Sequence, residues 1–311
     1  TVPKKPVAIV TTPPNSATPV IDAAAHAWVV GDQRFPLVSA HATCPDNMPV
    51  IDESAEHLIG RMATYGIDQT VISHVCYYGR YNSYTTHCVS TYPEKFTGEG
   101  LLVGYRLHSP HDPENPAGSS AFVREDGLSG LRLSPIYDPD VEWINDPVSY
   151  SLWRKAEELG AVFNIFAAPH QVPQIADMAN RFPGVNIVVD HFAMIDITRP
   201  DSEGFEQLMG LNRYPNVYIR TSLFNPSRQK LPYRDMWPYL EKSYDAFCPH
   251  NLIYATDYEL LVMKDLISFF TTEDKTWILG GNALAVYRNN FVVNQSLLMT
   301  LWADDPSHQD A

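Results

Sequence analysis

Histidine, arginine and aspartate side chains stand at or just after the ends of short apolar runs in this chain. The first run, PVIDAAAHAWV, carries Asp22 and His26 with Ala24 between them. The other such residues are His74 in VISHVCY, Arg132 in GLRLSP, His191 in VVDHFA, Arg220 in YIRTS and Asp257 in YATDY. A carboxylate beside two imidazoles can act as general base on water while the imidazoles act on a carbonyl group. These residue types therefore predict acid–base chemistry, provided that the fold brings them together.

Each of these residues also has a purely structural interpretation. A histidine at a strand end can be a buried residue with satisfied hydrogen bonds, Asp257 can cap the next helix, and Arg132 can pair with a surface acid. On a strand, alternate residues share a face, so Asp22, Ala24 and His26 are predicted to point the same way. The shared position of all these residues at strand ends is what favours a functional site.

The composition restricts the class of function. The chain has 311 residues, of which 45% are hydrophobic and 19% charged, enough for one large α/β domain or two average ones. A formal net charge of −14 argues against a nucleic-acid partner. No apolar run reaches the roughly 18 residues that cross a bilayer. We therefore expect a small-molecule substrate, with neither a nucleic acid nor a membrane as partner.

The cysteines indicate a reducing environment. Four are scattered along the chain without a C-x-x-C pair: Cys44, Cys76, Cys88 and Cys248. This is too sparse for a disulfide scaffold and wrong for a zinc knuckle, so free thiols and a cytoplasmic location are expected. Export is the alternative, because the chain begins at Thr1 and a leader could have preceded it.

Eight β-branched runs alternate with helical stretches. The runs are PVIDAAAHAWV, QTVISHVCY, FTGEGLLVGY, LSGLRLSP, AVFNIFAA, VNIVVDHFA, NVYIRTSLF and NLIYATDYE. Helices are predicted in SAEHLIGRMATYG, DPVSYSLWRKAEELG, PHQVPQIADMANRFPG, EGFEQLMGLNRYP and YRDMWPYLEKSYDAF. Most runs lack the polar alternation of a half-exposed sheet, which is typical of strands covered on both faces.

This alternation predicts an α/β fold, a single (β/α)8 TIM barrel over residues 20–293. Residues 1–19, rich in Pro, Thr and Lys, are predicted to form an extended arm, and residues 294–311 a helix end and frayed tail. An open doubly wound sheet is the alternative. It would need a glycine-rich loop after the first strand, which the sequence lacks.

Several motifs resemble the amidohydrolase superfamily, in its amidohydrolase 2 branch. VIDAAAHAW is similar to that family's first strand, IDxHxHxW, while GLRLSP, RFPGVNIVVDHFA and ILGGNALAVY resemble its fourth strand, sixth strand and closing helix. RFP (34–36) and YYGRYNSY (77–84) resemble the lactonase-like subgroup, which includes 2-pyrone-4,6-dicarboxylate lactonase and sugar lactonases. The resemblance runs from about Val20 to Tyr287 and implies a TIM barrel, hydrolase activity on a lactone and, as in many such barrels, a homodimer.

The chain departs from the family pattern at the metal site. Ala24 stands where the family has the first histidine of His-x-His, and it is either natural or an engineered substitution. A zinc site needs at least three protein ligands and an open position. The resemblance leaves His26, Asp257 and His191 for a single divalent metal, zinc or manganese. Because the lactonase-like subgroup works without a metal, no cofactor is the main expectation and the metal is the alternative.

The resulting hypothesis is hydrolysis of a lactone or similar ester of a small, carboxylate-bearing substrate. Asp257 would be the general base on water, and His26 and His191 would polarise the carbonyl group. Arg132 would bind the substrate carboxylate through two parallel hydrogen bonds. Further candidates for substrate contacts are His74, Tyr78, Asn82 and Arg220. The alternatives are a metal-dependent decarboxylase or hydratase of an aromatic or unsaturated acid, and an inactive barrel kept for binding.

Overall fold

A computed structural model describes residues 18–37, 48–79, 81–103, 115–137, 142–199 and 204–287, without the side chains of 102, 103, 115–117 and 257. The arm predicted for residues 1–19 lies outside the described residues except for its last two, and so does the whole tail predicted for 294–311. None of the described helices is long and apolar enough to span a bilayer.

Eight parallel strands form one sheet in sequence order. They are β1 (Ile21–Ala25), β2 (Gln69–Ser73), β3 (Phe96–Val103), β4 (Gly130–Leu133), β5 (Val162–Ile165), β6 (Ile187–Val189), β7 (Val217–Arg220) and β8 (Leu252–Ile253). The N–H of Ala23 on β1 donates to the carbonyl oxygen of Tyr254, just after β8, at 3.1 Å. This bond links the last strand to the first, and the predicted (β/α)8 barrel is confirmed.

Helices separate the strands within the described part of the chain. They are α1 (Ala55–Tyr65), α2 (Ser83–Thr91), α3 (Asn115–Arg124), α4 (Tyr150–Leu159), α5 (Val172–Arg181), α6 (Phe205–Met209), α7 (Trp237–Phe247), α8 (Thr272–Thr276) and α9 (Asn282–Val286). The start and stop signals of α1 work as predicted: the Ser54 hydroxyl accepts from the His57 N–H, and Gly66 ends the helix with a left-handed φ of 79°. The five helices expected from the sequence are confirmed as α1, α4, α5, α6 and α7. The described residues add α2, α3, α8 and α9, the last of which lies in ILGGNALAVY, the closing helix that the family resemblance implied.

Strand β1 is irregular where chemistry was predicted. Its pairing with β2 shifts register between Asp22 and Ala25, so strict alternation does not run through the strand. The prediction that Asp22, Ala24 and His26 point the same way is confirmed, because all three line one cavity. The irregularity adds Ala25 to the same lining, which strict alternation would not.

Apolar side chains fill both the space around the barrel and one end of its interior. A large cluster packs between the strands and the outer helices. A second cluster fills the barrel interior with β-branched residues of several strands and closes against α9; it includes Val71, Val162, Val188 and Ile253. Gly280, just before α9, lies so close to Pro19 that a Cβ there would be 1.8 Å from the Pro19 carbonyl oxygen. Because Pro19 precedes β1, α9 closes the amino-terminal end of the barrel, and the opposite end remains for a site.

Candidate active site

The carboxyl-terminal end of the barrel contains a cavity of about 460 Å³. Residues that follow or end the strands line it, including His26 (β1), Arg132 (β4), His191 (after β6) and Arg220 (β7). The positions of these four residues at strand ends predict that they meet at the carboxyl-terminal face of the barrel, where the active sites of barrel enzymes lie. Asp257 begins the turn after β8 and its side chain is outside the described residues, but its neighbours Thr256 and Tyr258 both line the cavity.

A set of hydrogen-bonded polar side chains lies inside the barrel beneath this cavity, and we call it the buried polar layer. Its members are Ser73, Glu99, Asn164, Asp190, Arg220 and Tyr287, each no more than 1% exposed. Arg220 donates to Asp190 at 2.5 Å and to Tyr287 at 3.1 Å, and it lies 3.4 Å from Glu99. The Tyr287 and Ser73 hydroxyls each donate to Glu99 at 2.7 Å, and the Asn164 amide donates to Asp190 at 2.8 Å. The layer therefore satisfies most of its own hydrogen-bonding groups.

The pKa values of the two carboxyl groups in this layer shift in opposite directions. Burial alone would raise the pKa of Asp190, but attraction to Arg220, and then to His191 and Arg132, holds that pKa well below its ordinary value. Burial raises the pKa of Glu99, and the more distant Arg220 only partly opposes this. Asp190 and Arg220 thus form an ion pair, and Arg132 above the layer has no salt bridge to any of the described residues.

His26 is held as a neutral imidazole. Burial, and then the nearby charge of Arg132, lowers its pKa to about 3. Its Nδ1 lies 2.7 Å from the Ser73 carbonyl oxygen, which can only accept, so the single proton of the neutral ring is on Nδ1. The other nitrogen, Nε2, is then a hydrogen-bond acceptor. This differs from the sequence-based hypothesis, in which His26 donates to a substrate carbonyl group.

His191 lies in a strained turn after β6. Four consecutive residues, His191 to Met194, have positive φ values between 46° and 53°, a left-handed backbone that L residues rarely adopt in series. Burial lowers the pKa of His191 to about 4, against the opposing attraction of Asp190. Its Nδ1 is buried and has no hydrogen-bond partner among the described residues. A neutral ring with an unsatisfied nitrogen is thus held beside the cavity.

Arg132 is a cation of the cavity that has few partners among the described residues. Its Nη1 donates to the His74 carbonyl oxygen at 3.2 Å, and its guanidinium lies 5.4 Å from the centre of the Phe166 ring. Its Nε is buried without a hydrogen-bond partner, and the described residues supply no salt bridge to it. Arg220 differs: although it lines the cavity, it is 0% exposed and bonded within the buried polar layer. Its guanidinium is thus committed to the layer, and its expected role in substrate binding stays a prediction.

Three further residues predicted to contact substrate lie away from the cavity. Both nitrogens of His74 are used, with Thr85 at 3.1 Å and the Gly79 carbonyl oxygen at 2.8 Å. The Tyr78 hydroxyl accepts from the Val29 N–H at 2.8 Å. Asn82 forms two hydrogen bonds with the backbone of Leu101. The cavity lining among the described residues includes none of the three, because their side chains fix loops rather than face the opening.

Residues that the sequence analysis did not single out also shape the site. Glu259 is buried and accepts the N–H groups of Leu223 and Phe224, both at 2.8 Å. Burial raises the pKa of Glu259 to about 8. These bonds fix the loop after β7, from which Phe224 and Asn225 line the cavity. The sequence signal was an acid two residues after Asp257, which does not by itself indicate a loop contact.

Two acids of the buried polar layer were also missed. Asp190 directly precedes His191, and Glu99 interrupts the apolar run FTGEGLLV. Both were visible as acids in predicted buried strands. Their partners come from other strands, however, so only the closed barrel reveals the pairs.

The described residues fit a bound metal poorly. They contain no group of three or more His, Cys, Asp or Glu side chains that could hold an ion. His26 has the arrangement of a metal-ligating histidine, with one nitrogen bonded to a backbone oxygen. Ala24 offers no ligand atom, however, and the Arg132 cation lines the same cavity. We therefore derive no step through a metal. The expectation that no cofactor is bound, with a single divalent metal as the alternative, stays a prediction.

Comparison with known proteins places this barrel in a family. The family model described as amidohydrolase matches residues 21–289, so the chain belongs to the amidohydrolase family. An L-fucono-1,5-lactonase from Burkholderia ambifaria is 25% identical over 192 residues, which cover 56% of this chain and 66% of the lactonase. The match thus spans slightly less than two thirds of that relative's length.

Solved structures share the fold at low sequence identity. A probable 2-pyrone-4,6-dicarboxylic acid hydrolase from Acinetobacter baumannii, with citric acid bound, has a TM-score of 0.69 and 16% identity, covering 86% of this chain and 99% of the other. An amidohydrolase from Burkholderia multivorans with bound zinc has a TM-score of 0.65 and 17% identity, covering 86% and 98%. A 2,6-dihydroxybenzoate decarboxylase in complex with 2,6-dihydroxybenzoate has a TM-score of 0.61 and 13% identity, covering 86% and 98%. These likenesses show the TIM-barrel fold alone.

Proposed function

We propose that the protein hydrolyses a lactone, or a similar ester, of a small carboxylate-bearing substrate. The observation that carries this proposal is the grouping of two neutral imidazoles, His26 and His191, in one cavity with the Arg132 cation, which has no salt bridge to the described residues. Membership of the amidohydrolase family and a lactonase relative support the same reaction.

Each group has a role that its chemistry allows. Asp257 is the general base on a water molecule, as the sequence suggests. His26 accepts a hydrogen bond from that water through Nε2, because its proton is held by the Ser73 carbonyl oxygen. His191 donates its one N–H to the carbonyl oxygen of the substrate, where charge develops. The water oxygen attacks the carbonyl carbon, the ring C–O bond breaks, and the proton passes to the leaving oxygen.

Arg132 binds the substrate carboxylate. The protein as a whole is strongly acidic and repels anions at long range, so the attraction must be local. The ion pair of Asp190 with Arg220 keeps Asp190 from neutralising Arg132. A carboxylate in the cavity would thus meet a guanidinium anchored through the His74 carbonyl oxygen and the Phe166 ring.

A lactone screen tests the proposal. The protein, purified without chelator, is assayed on aldonolactones, aryl lactones and pyrone carboxylates, as isolated, after EDTA treatment and with added zinc or manganese. We expect ring opening of at least one lactone. Asp257→Asn should abolish it, and Asp177→Asn on the surface of α5 should not. Two results would overturn the proposal: no lactone opened under any metal condition, or Asp257→Asn retaining full activity.

The same samples test the decarboxylase alternative. An aromatic acid substrate is compatible with the aromatic side chains that line the cavity. Release of carbon dioxide from an aromatic acid, with near-stoichiometric bound metal and no lactone opening, would favour the decarboxylase. Absence of every activity, both here and in Ala24→His, would favour an inactive binding barrel.

A further inference from the structure

An uninterrupted series of aromatic rings lines one side of the cavity, and we call it the aromatic arc. It consists of Tyr137, Phe166, His191, Phe224 and Tyr258, one ring after each of the strands β4 to β8. Neighbouring ring centres are 5.6–6.2 Å apart, and all four contacts are edge-to-face. Five consecutive loops thus each contribute a ring to the same wall.

The arc and the cavity are larger than a single six-membered ring requires. An apolar cavity of roughly 150 Å³ holds benzene, whereas this cavity measures about 460 Å³. On the β1 side the wall contains the small residues Ala24 and Ala25. This volume can take a flat, extended ring system.

The polar side chains of the cavity are poorly suited to a polyhydroxylated ligand. The Ser73 hydroxyl is used by Glu99, Asp190 is used by Arg220 and Asn164, and Asp22 accepts the Thr256 N–H at 2.8 Å. The lining atoms without a partner among the described residues are few; they include atoms of Arg132, His191 and Asn225, and the first two side chains lie against the Phe166 ring. They suit a ligand with one anionic group better than one with several hydroxyls, since each buried hydroxyl without a partner costs free energy. The cavity therefore favours aromatic surface over hydroxyl groups.

Resting on the proposed lactone hydrolysis, we infer that the substrate is an aryl-fused or aryl-substituted lactone with one carboxylate. Its ring system lies against the aromatic arc, and its carboxylate contacts Arg132. The position of the Arg132 guanidinium over Phe166, a member of the arc, places the anion site next to the stacking surface. A carboxylate attached directly to the conjugated ring satisfies both contacts at once.

Two lactones that each carry one carboxylate separate this inference from a sugar substrate. Coumarin-3-carboxylate is flat and aromatic, and D-glucaro-1,4-lactone is polyhydroxylated. Their dissociation constants can be measured by stopped-flow quenching of tryptophan fluorescence, before turnover, since Trp28 lines the cavity. We expect coumarin-3-carboxylate to bind at least about tenfold more tightly, as several stacking contacts would provide.

Variants of the arc provide the second comparison. Phe166→Leu and Phe224→Leu keep apolar volume but remove a ring, and each should weaken coumarin-3-carboxylate binding by about three- to tenfold. Phe224→Leu should leave glucarolactone binding unchanged, whereas Phe166→Leu, whose ring also supports Arg132, should weaken glucarolactone binding less than coumarin-3-carboxylate binding. Phe269→Leu, whose ring packs against Phe270 and Tyr244 away from the cavity, is the matched control. If Phe166→Leu fails to fold, Phe224→Leu still serves, because Phe224 is 37% exposed.

The outcomes distinguish this inference from the proposed function. Equal or tighter binding of glucarolactone, or equal weakening of both ligands by the arc variants, overturns the aromatic substrate while leaving lactone hydrolysis intact. Tight, arc-dependent binding of coumarin-3-carboxylate in a protein that opens no lactone upholds the aromatic ligand and overturns the proposed reaction.

Discussion

The buried polar layer and the cavity above it contain similar residue types but differ in how far their groups are satisfied. In the layer, Arg220 is bonded to two carboxyl groups and a phenol, although its Nε has no partner among the described residues. In the cavity, Arg132 donates one hydrogen bond to a described residue and has no carboxyl partner there, and both its Nε and the His191 Nδ1 are buried without a partner in the described part of the chain. Native proteins rarely leave such groups unpaired without a reason. The difference indicates that the layer supports the barrel and that the cavity groups await a ligand.

Breaking the layer should have the largest effect on folding. Arg220→Met would leave Asp190 and Glu99 buried without their cation, which costs about 3–5 kcal/mol of unfolding free energy. Urea denaturation measures this loss. Arg181→Met, which removes a half-exposed pair with Asp177 on α5, should cost less than about 1 kcal/mol. Equal losses in the two variants would refute a structural role for the layer.

Removing the cavity cation should affect binding and not folding. Arg132→Gln removes a charged donor from the proposed carboxylate site, so the dissociation constant for coumarin-3-carboxylate should rise by about 10- to 100-fold. The unfolding free energy should change by less than about 2 kcal/mol, because one backbone hydrogen bond and the contact with the Phe166 ring are lost. Unchanged affinity in this variant would show that Arg132 does not bind the carboxylate.

The neutral histidines predict how stability depends on pH. Burial lowers the pKa of His74 to about 4, whereas an unfolded histidine titrates near 6.5. Between these values the unfolded state binds more protons, so the unfolding free energy decreases as the pH falls. Between pH 7 and pH 5, the unfolding free energy of His74→Gln should therefore decrease by about 1–2 kcal/mol less than that of the wild-type protein. Parallel losses in both proteins would show that His74 titrates normally.

The smallest effect concerns a loop contact. Tyr78→Phe removes the hydroxyl that accepts the Val29 N–H, and should cost about 1 kcal/mol of unfolding free energy. Affinity for coumarin-3-carboxylate should not change, since Tyr78 lies away from the cavity. A weaker affinity with unchanged stability would instead show that Tyr78 contributes to ligand binding.

The sequence predicted the barrel because its signals are local. Eight apolar runs, helix caps such as Ser54 and stops such as Gly66 each act within a few residues, and strand ends in such a barrel share one face. His26, Arg132 and His191 were found this way. The roles of other residues depend on non-local contacts: His74 turns into a loop to meet Thr85 and Gly79.

Two features of the site required the folded chain. The register shift in β1 has no evident sequence signal in IDAAA, yet it changes which side chains reach the cavity. The tautomer of His26 depends on Ser73, 47 residues away, and decides whether this ring donates or accepts. The sequence therefore predicts that the His26 imidazole belongs to the site, but whether it donates or accepts a hydrogen bond follows only from the folded chain.

The most direct test compares two buried, neutral histidines, one in the cavity and one outside it. The measurement is kcat/KM for the lactone that the screen identifies, in His26→Gln and His74→Gln, with folding checked by thermal denaturation. The account predicts a decrease of about 100-fold or more in His26→Gln and a change of less than about threefold in His74→Gln. Wild-type activity in His26→Gln, or an equal loss in a folded His74→Gln protein, would contradict it.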